Sequence, residues 1–467
     1  TTTDFLTNLG VSDIAINPNN PDEIYIITGD RDGGDTYSYG LMKSIDGGLS
    51  FNSTGLSFSI TDYYKGNRVL IDPNNTDVII VATSNGIYRS VDAATSFVNT
   101  YPSINMTDIE FHTNNTNIIY GGSKGNTSIY KSIDNGMSWA QSGSGLPSTN
   151  DVVRACVAVT PSNPLVVYAL FGDNSNGFYG VYKSSDEGAT WTQQANSPNL
   201  LGWSTSGSDN DGQAWYDLAF SISPIDENVL FVGGVNCWKS TNSGVSWNIN
   251  THWYGGGGAN YMHADEHMLK YNPLNNKLYS ANDGGLYLSS DNGNNWADIS
   301  DGLHITQFYS LGVSQTVQDK VITGAQDNGT FLKTASNWDA VIGGDGMECI
   351  IDYTNSNIMY GEVYYGAIRK STNGGNSFSS IAPSNNGAWE TPYELHKTNP
   401  EIIYAGYDEL YKSNDGGDNW NIITNGETNG GKINEIGLSA SNPDVIYFTD
   451  DANIFKTADG GSNWTLI

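Results

Sequence analysis

The sequence predicts an all-β protein, a β-propeller of four-stranded antiparallel blades, and three observations support this fold class. Apolar runs are short and rich in Val, Ile, Tyr and Phe, as is typical of strands, and no long stretch has the 3.6-residue spacing of a helix. A turn motif of the form Ser-x-Asp-x-Gly-x-Ser/Thr-Trp/Phe recurs along the chain. A second motif precedes it in each unit: an apolar strand, an Asn-Pro-type turn and then Ile-Tyr, as in Ile16–Tyr25 and His396–Tyr404.

The first motif, called the Asp box here, predicts a tight turn with a structural role. Its Ser and Asp side chains accept hydrogen bonds from backbone N–H groups, and its Gly supplies a left-handed backbone conformation. Asn242 and Asn373 replace the Asp in two boxes, so a carboxylate is not required for this role. Ala94 stands where one box would have Gly, which predicts a distorted turn there. The nine boxes are Ser44–Phe51, Ser90–Phe97, Ser132–Trp139, Ser184–Trp191, Ser240–Trp247, Ser289–Trp296, Ser371–Phe378, Ser413–Trp420 and Thr457–Trp464.

The two motifs together count ten units of the size of a propeller blade. A tenth unit without a full box lies around Val313–Trp338, where the box has shrunk to residues 334–338. We therefore predict that residues 1–467 form one domain, a single ring of about ten blades. Two smaller tandem rings are the alternative.

Composition limits the partners. The chain has 50 acidic and 20 basic residues, a formal net charge of −30, which argues against nucleic acid and anionic membrane as ligands. No apolar run approaches the 18 or so residues that span a bilayer. Three cysteines, Cys156, Cys237 and Cys349, lie far apart in apolar contexts and predict buried free thiols. The acidity fits a secreted or cell-surface protein, and we expect neighbouring domains of a larger protein.

Up-and-down strand order, with strands named A to D from the channel outward, separates two faces of each blade. The A–B turn and the Asp box share one face, and the B–C and D–A loops share the other, here called the loop face. Variable loops on a rigid scaffold are the usual place for binding, so we predict the ligand site there. Aromatic and acidic side chains in these loops suit sugar rings or peptide side chains, and equally suit loop packing. The candidate ligand-binding residues are Trp203, Trp215, Trp253, Trp389, Tyr364, Glu362, His263, Asp265 and His267.

Candidate metal-binding and catalytic residues lie at the start of two A strands. The period of two in a strand would place His263, Asp265 and His267 on one side, as ligands for a transition metal or, the interpretation we favour, as a hydrogen-bonded polar layer. Asp345 and Glu348 are candidates for the acid and base of glycoside hydrolysis, with Asp327 as a third catalytic candidate. Because their spacing of three points Asp345 and Glu348 to opposite sides of a regular strand, the Gly-rich turn would have to redirect one of them.

Two acidic loops are candidate sites for a structural Ca²⁺, and we predict no other cofactor. They contain Asp30, Asp32 and Asp35, and Asp209 and Asp211. Neither loop completes an EF-hand, which needs a bidentate Glu at its twelfth position.

Nine Asp boxes in this spacing resemble the BNR/Asp-box repeat superfamily of propellers over essentially the whole chain. The segments at residues 10–15, 263–267, 324–330 and 343–348 look like secreted, sortilin-type propeller proteins of Bacteroidota, which implies export by the type IX system. A sialidase of the superfamily would need three arginines around the substrate carboxylate and a Phe/Tyr-Arg-Ile-Pro segment, and the second is absent. The two-ring xyloglucanases need more blades than this chain has. The ten-bladed sortilin-type receptors match the count best.

From these observations we predict a secreted or cell-surface binding module that holds a glycan or a peptide at the loop face. The sequence does not decide whether the protein is an enzyme, and it favours a binding role. The alternative is a glycoside hydrolase that uses paired carboxylates on the same face.

Overall fold

The computed structural model describes residues 10–335, 337–384 and 386–467. The chain forms two compact units, the first ending at Leu303 and the second starting at His304. Within the described ranges, strands dominate, and helix is confined to two 3₁₀ turns, Ile60–Asp62 and Gly256–Gly258. None of the described helices is long and apolar enough to cross a membrane.

The first unit contains six antiparallel sheets, here called blades 1 to 6, and consecutive strands pair within each. Blade 5 has a fifth strand, β21, which pairs in parallel with β20. The strands of blades 1 to 3 are β1 Val11–Ile16, β2 Ile24–Thr28, β3 Gly40–Ser44, β4 Asn52–Ser57, β5 Gly66–Ile71, β6 Ile79–Thr83, β7 Gly86–Ser90, β8 Val98–Pro102, β9 Met106–Phe111, β10 Ile119–Ser123, β11 Ile129–Ser132 and β12 Ala140–Gln141. Those of blades 4 to 6 are β13 Val152–Val159, β14 Val167–Asp173, β15 Phe178–Ser184, β16 Thr192–Ala195, β17 Ala219–Ile222, β18 Leu230–Gly233, β19 Cys237–Ser240, β20 Asn248–His252, β21 Asn260–Tyr261, β22 Glu266–Tyr271, β23 Leu278–Asn282, β24 Gly285–Ser289 and β25 Ala297–Asp298.

The second unit contains four sheets of the same kind, blades 7 to 10. Their strands are β26 Phe308–Val313, β27 Val321–Ala325, β28 Gly329–Thr334, β29 Asn337–Ile342, β30 Gly346–Ile351, β31 Met359–Val363, β32 Ala367–Ser371, β33 Ser379–Ser380, β34 Tyr393–Leu395, β35 Ile403–Gly406, β36 Leu410–Ser413, β37 Trp420–Ile422, β38 Glu435–Leu438, β39 Ile446–Thr449, β40 Ile454–Thr457 and β41 Thr465–Leu466. The prediction of a β-propeller with ten four-stranded antiparallel blades is confirmed in the described part of the chain. The single ring and the single domain stay predictions.

The Asp boxes form the turns that the sequence predicts. In blade 1, the Ser44 hydroxyl accepts the Gly48 N–H at 2.9 Å and donates to Asp46, whose carboxylate accepts the Ser50 N–H at 2.9 Å. Asn242 accepts the corresponding N–H of Ser246 through its amide oxygen. An amide therefore serves as well as a carboxylate, in keeping with a structural role.

The distortion predicted for the second box is absent. Ala94 adopts the left-handed conformation of the missing glycine, with φ of 71°, and its N–H still reaches the Ser90 hydroxyl at 3.0 Å. The hydrogen bonds of the box are thus strong enough together to hold an alanine in a conformation that costs about 1–2 kcal/mol.

The core lies between neighbouring blades. Trp191, which closes the Asp box of blade 4, packs with Tyr120 of blade 3 and Phe171 of blade 4. Trp247 packs in the same way between blades 4 and 5. All three cysteines are buried and free, as predicted.

The buried serine of a box supports its turn. Replacement of Ser184, which is 1% exposed, by Ala leaves the Gly188 N–H without its acceptor. We expect this change to lower the free energy of unfolding by about 1–3 kcal/mol, measured by denaturant titration. The neighbouring exposed Ser185 provides the matched Ser→Ala control. Equal stability of the two variants would contradict a structural role for the box serine.

Candidate functional site

The loop face of the first unit holds an ionic network centred on Asp32, in the β2–β3 loop. Asp32 accepts a hydrogen bond from Arg154 of β13 at 2.6 Å and pairs with its neighbour Arg31 at 3.0 Å. Its second oxygen lies 3.0 Å from Nδ1 of His267, in β22. Burial alone would raise the pKa of Asp32, but Arg31 and Arg154 hold it well below its usual range. Asp32 is therefore an ionised carboxylate shared by three cations.

The other acidic residues of this loop also have partners. The Asp30 carboxylate accepts N–H groups from residues 32, 33, 34 and 35, each within 3.0 Å. Asp35 is exposed. These contacts account for Asp30 and Asp32 without a cation, and calcium binding at this loop stays a prediction.

His267 does not form the metal site that its spacing suggested. Its two ring nitrogens lie 3.0 Å from Asp32 and 2.8 Å from Asp283, so neither is open to a metal. Burial alone would lower the pKa of His267, but these two carboxylates raise it to about 10. The spacing argument is wrong because β22 begins only at Glu266, and Asp265 before it has a left-handed φ of 66°. His263 also precedes the strand, with Nδ1 3.2 Å from the Ala264 carbonyl.

Three further carboxyl groups, Asp217, Asp265 and Asp283, lie near this network, and one oxygen of Asp265 lies within 4.8 Å of one oxygen of Asp283. Asp217 lies two residues before β17, the first strand of blade 5. Asp265 directly precedes β22, the first strand of blade 6, and Asp283 lies in the β23–β24 turn. Asp283 accepts the Tyr216 hydroxyl at 2.8 Å, and Asp265 accepts the Gln213 amide at 3.2 Å. Burial and the nearby Asp265 raise the pKa of Asp217 well above its usual range, and burial with Asp283 raises that of Asp265 to about 6.

Asp217 and Asp283 were missed in the sequence. The available signal was weak: each is an acidic residue within two residues of a strand end on the predicted loop face. Asp217 follows the aromatic pair Trp215–Tyr216, and Asp283 precedes two glycines.

The predicted aromatic residues of the first unit are partly exposed and lie on its loops. Trp215 packs against Tyr216 at 5.3 Å between ring centroids, and Tyr216 in turn contacts the His267 ring edge-on at 4.8 Å. Trp253 stacks on His252, which lies 3.2 Å from the Trp203 carbonyl. Polar residues of the loop that contains Trp203 form hydrogen bonds within that loop.

In that segment Asp209 accepts the Ser204 N–H, and the backbone carbonyl of Asp211 accepts the Asn199 amide at 2.8 Å. Asp209 thus has a donor within its own loop, and Asp211 is exposed. A Ca²⁺ at this loop stays a prediction.

A groove of about 450 Å³ runs along the first strands of blades 3 to 6. Arg31, Arg68 and Arg154 line it, three of the five arginines in the chain. Arg68 pairs with Glu110 at 2.9 Å and Asp108 at 3.3 Å, and the other two pair with Asp32. The arginines are neutralised by protein carboxylates.

In the second unit, Trp389 and Tyr364 form an aromatic platform on the loop face. Their rings are parallel within 4° at 5.3 Å, and they are 41% and 40% exposed. The Trp389 indole donates to the Tyr309 hydroxyl at 3.0 Å, which fixes its orientation. The platform is therefore pre-formed and open on its outer side.

Glu362, predicted to bind ligand, is instead fully buried. It lies in β31, and its carboxylate accepts the Gly366 and Thr391 N–H groups, each at 3.0 Å. Burial raises its pKa to about 8. Glu362 holds the two loops that carry the platform, and it does not reach a ligand.

A second groove, of about 470 Å³, runs along the first strands of blades 7 to 10. Glu348 of β30, Glu394 of β34 and Glu435 of β38 all line it, one from each successive blade. Lys397 lines the groove as well and forms an ion pair with Glu394. Burial, together with the charges of Glu390 and Glu394, raises the pKa of Glu348 to about 7.

The predicted pairing of Asp345 with Glu348 is not what the structure shows. Asp345 precedes β30 and accepts the Asp327 N–H at 2.7 Å, which fixes the β27–β28 turn. The carboxylates that share the groove with Glu348 are Glu394, from the following blade, and Glu435, from the blade after that. Strand pairing explains why Asp345 and Glu348 do not face the same site, because the irregular register between Gly346 and Cys349 turns Glu348 into the groove.

The chain is similar in sequence to two curated xyloglucanases. No protein-family model matches the chain. Two curated sequences, both xyloglucanase Xgh74A of Acetivibrio thermocellus, are 24% identical over 286 residues, which is 52% of this chain and 32% of the relatives. The match thus spans about a third of the length of these relatives.

Among solved structures, the GH74 enzyme of Niastella koreensis has a TM-score of 0.49 at 17% identity, over 98% of this chain and 84% of that one. The GH74 xyloglucanase of Xanthomonas campestris has a TM-score of 0.34 at 15% identity, over 98% and 86%. YCF48 from Cyanidioschyzon merolae has a TM-score of 0.30 at 12% identity, over 66% and 92%. At these TM-scores the fold rests on the sheets described above.

Proposed function

We propose that this chain is a glycoside hydrolase of the Asp-box propeller superfamily, with Glu348 as general acid and Glu394 as the second carboxylate. The observation that carries the proposal is the contrast between these two groups in one groove. The raised pKa of Glu348 keeps a proton on this carboxyl near neutral pH. Glu394 has Lys397 beside it as an ion-pair partner. Two carboxyls whose surroundings differ in this way suit acid and base roles in glycosidic bond cleavage.

The groove and the platform suit a polysaccharide. Glu348 would donate its proton to the glycosidic oxygen. Glu394 would either attack the anomeric carbon directly or activate a water molecule that attacks it. The open rings of Trp389 and Tyr364 offer a flat apolar surface for a sugar ring. The xyloglucanases with detectable sequence similarity act on a polysaccharide, which supports a β-glucan such as xyloglucan as the substrate class.

This proposal prefers the glycoside hydrolase to the binding module, whereas the sequence alone favoured the binding module. The binding module that we favoured from sequence has less support, because the curated relatives that match the chain are xyloglucanases. Secretion or cell-surface location fits a polysaccharide substrate and stays part of the proposal. Sortilin-type membership, type IX export and neighbouring domains stay predictions from resemblance.

The test is incubation of the purified chain with xyloglucan and other β-glucans, followed by mass spectrometry of released oligosaccharides and a reducing-end assay. We expect oligosaccharide release from at least one β-glucan. Retention of these polysaccharides in affinity electrophoresis without any release would overturn the hydrolase proposal and restore the binding module.

The pKa of Glu348 predicts the pH dependence of this activity. A general acid must be protonated, so kcat/KM should fall about tenfold per pH unit above pH 7, where Glu348 ionises. Measurement of kcat/KM from pH 5 to 9 tests this. A profile that is flat up to pH 9 would exclude Glu348 as the acid.

A further inference from the structure

We propose that the outer edge of blade 5 carries a second, non-catalytic glycan-binding site, which takes a neutral polysaccharide on Trp203, Trp253, Tyr254 and Tyr261. These four residues are called the rim site here. The rim site does not depend on the hydrolysis proposed above, because the second unit supplies the groups for that reaction. Tyr254 and Tyr261 were not among the candidates from the sequence.

The rim site lies at the edge of blade 5 farthest from the groove of the first unit. The first strand of this blade, β17, lines the groove, and the sheet order runs from β17 to β21 at the opposite edge. Trp253 and Tyr254 directly follow β20, and Tyr261 ends β21, where it pairs with His252. The aromatic side chains therefore gather around the buried ring of His252.

Buried polar side chains join the two loops that form the rim site. The Tyr254 N–H donates to Nδ1 of His252 at 3.3 Å, which leaves Nε2 to donate to the Trp203 carbonyl 3.2 Å away. The same carbonyl accepts the amide of Asn236, a buried residue, at 3.1 Å. Because both loops are already ordered, little conformational entropy is lost when a ligand binds.

The rings of Trp253 and Tyr254 form a corner. They stand at 86° to each other with their centroids 4.6 Å apart. A Cβ at Gly256 would lie 2.5 Å from the Tyr254 ring, so a larger residue there would push the ring away. The glycine thus lets the ring lie close to the backbone of its own loop.

Aromatic side chains of the rim site are exposed, whereas the aliphatic side chains beside them are buried. The four aromatic residues are between 42% and 63% exposed. Leu200, Leu201 and Met262, from the same loops, are at most 1% exposed. An exposed patch marks an interaction surface, and a patch of rings without aliphatic groups favours stacking over general apolar burial.

The loops of the rim site are uncharged, which is unusual in this acidic chain. Residues 188–208 and 240–264 contain no Asp, Glu, Lys or Arg, although these types make up 15% of the sequence. Asp209, which follows the first segment, accepts the Ser204 N–H of its own loop. Burial lowers the pKa of His252, so this ring is neutral near pH 7. A surface of this kind offers no partner to an ionic ligand and favours a neutral one.

Hydroxyl groups beside the rings suit a sugar. Ser204, Ser206 and Ser208 follow Trp203, and their hydroxyls contact one another. Each hydroxyl can both donate and accept a hydrogen bond. A sugar ring presents C–H groups on its faces and hydroxyls at its edge, so aromatic faces bordered by hydroxyls match both parts. These features favour a glycan over a protein partner.

The experiment measures Kd by affinity electrophoresis of the full chain in gels that contain xyloglucan, hydroxyethylcellulose or polygalacturonic acid. The two neutral polymers should retard the parent protein, and the acidic polymer should not. Because the Trp389–Tyr364 platform can also bind a polysaccharide, the rim site is tested in a Trp389→Ala background. We expect this background to remain retarded, and addition of Trp253→Ala to raise its Kd about tenfold.

Two further variants serve as controls. Trp253→Phe keeps a ring and should keep most of the binding. Trp338→Ala removes an equally exposed tryptophan from blade 7 and should leave the Kd unchanged. Since the replaced side chains are exposed, each variant should have the Tm of its background.

Four results would overturn the proposal. They are loss of all retardation in Trp389→Ala alone, an unchanged Kd when Trp253→Ala is added, an equal loss with Trp338→Ala, and a parent protein that neither neutral polymer retards. The last result would leave the exposed rings to a protein partner. Oligosaccharide release that persists in any of these cases would contradict the rim site alone, and retardation without release would contradict the hydrolase alone.

Discussion

Replacement of Glu348 by Gln is expected to reduce polysaccharide hydrolysis by about 10²–10⁴-fold at neutral pH. The amide has nearly the shape of the protonated carboxyl, but it has no proton that it can give to the leaving oxygen. Glu348 lines the groove beside Glu394, so the change acts at the reacting bond and leaves the Trp389–Tyr364 platform in place. The reducing-end assay measures the loss, and affinity electrophoresis should show that polysaccharide retention is kept.

The control for this experiment is Glu401→Gln. Glu401 belongs to the same blade as Glu394 but lies exposed in the turn before β35, on the face of the Asp boxes. Its activity should equal that of the parent chain. Parent-like turnover in Glu348→Gln would contradict the assignment of the acid. Loss of both turnover and polysaccharide retention in a folded Glu348→Gln would assign Glu348 to binding.

Replacement of Asp32 by Asn is expected to lower the free energy of unfolding by about 3–5 kcal/mol. Asp32 faces Arg31, Arg154 and His267, and the Arg154 side chain is only 4% exposed. The amide removes the negative charge that these cations share and leaves them buried together. Denaturant unfolding followed by tryptophan fluorescence measures the change.

Asp35→Asn is the matched control, because Asp35 lies in the same loop but is exposed. Its stability should stay within about 0.5 kcal/mol of the parent chain. The direction in which pH changes the stability contribution of Asp32 also follows. Because the folded-state pKa of Asp32 is depressed, its contribution is present above the unfolded pKa and is lost as pH falls through the folded pKa. An Asp32→Asn chain as stable as Asp35→Asn would show that the ionic network does not stabilise the first unit.

The blades could be predicted from the sequence because their determinants are local. A typical Asp box, such as that of blade 1, joins a Ser, an Asp and a Gly within five residues, and the hydrogen bonds that fix it lie within the same turn. The loop face followed from strand order alone. The Asp32 network, the acidic residues Asp217, Asp265 and Asp283, and the aromatic platform all lie there.

Site chemistry was harder to predict because it depends on partners from distant blades. The sequence favoured a hydrogen-bonded polar layer for His267, but its partner could not be predicted because Asp32, which pairs with one of its nitrogens, is far away in sequence. Glu362 was assigned to a loop, but β31 extends to Val363 and buries it. Glu348 was identified, but its partner Glu394 was not, because the groove brings together strands of successive blades.

The contact between Asp32 and His267 also bears on how the chain folds. It joins residues 235 positions apart. Contacts of such high sequence separation slow folding, since a long loop must close before they form. While the chain is being synthesised, the loop of blade 1 is complete long before His267 emerges, and until then Asp32 lacks this partner. The first unit therefore completes its folding only after blade 6 has been made, although every blade has its own local turn signals.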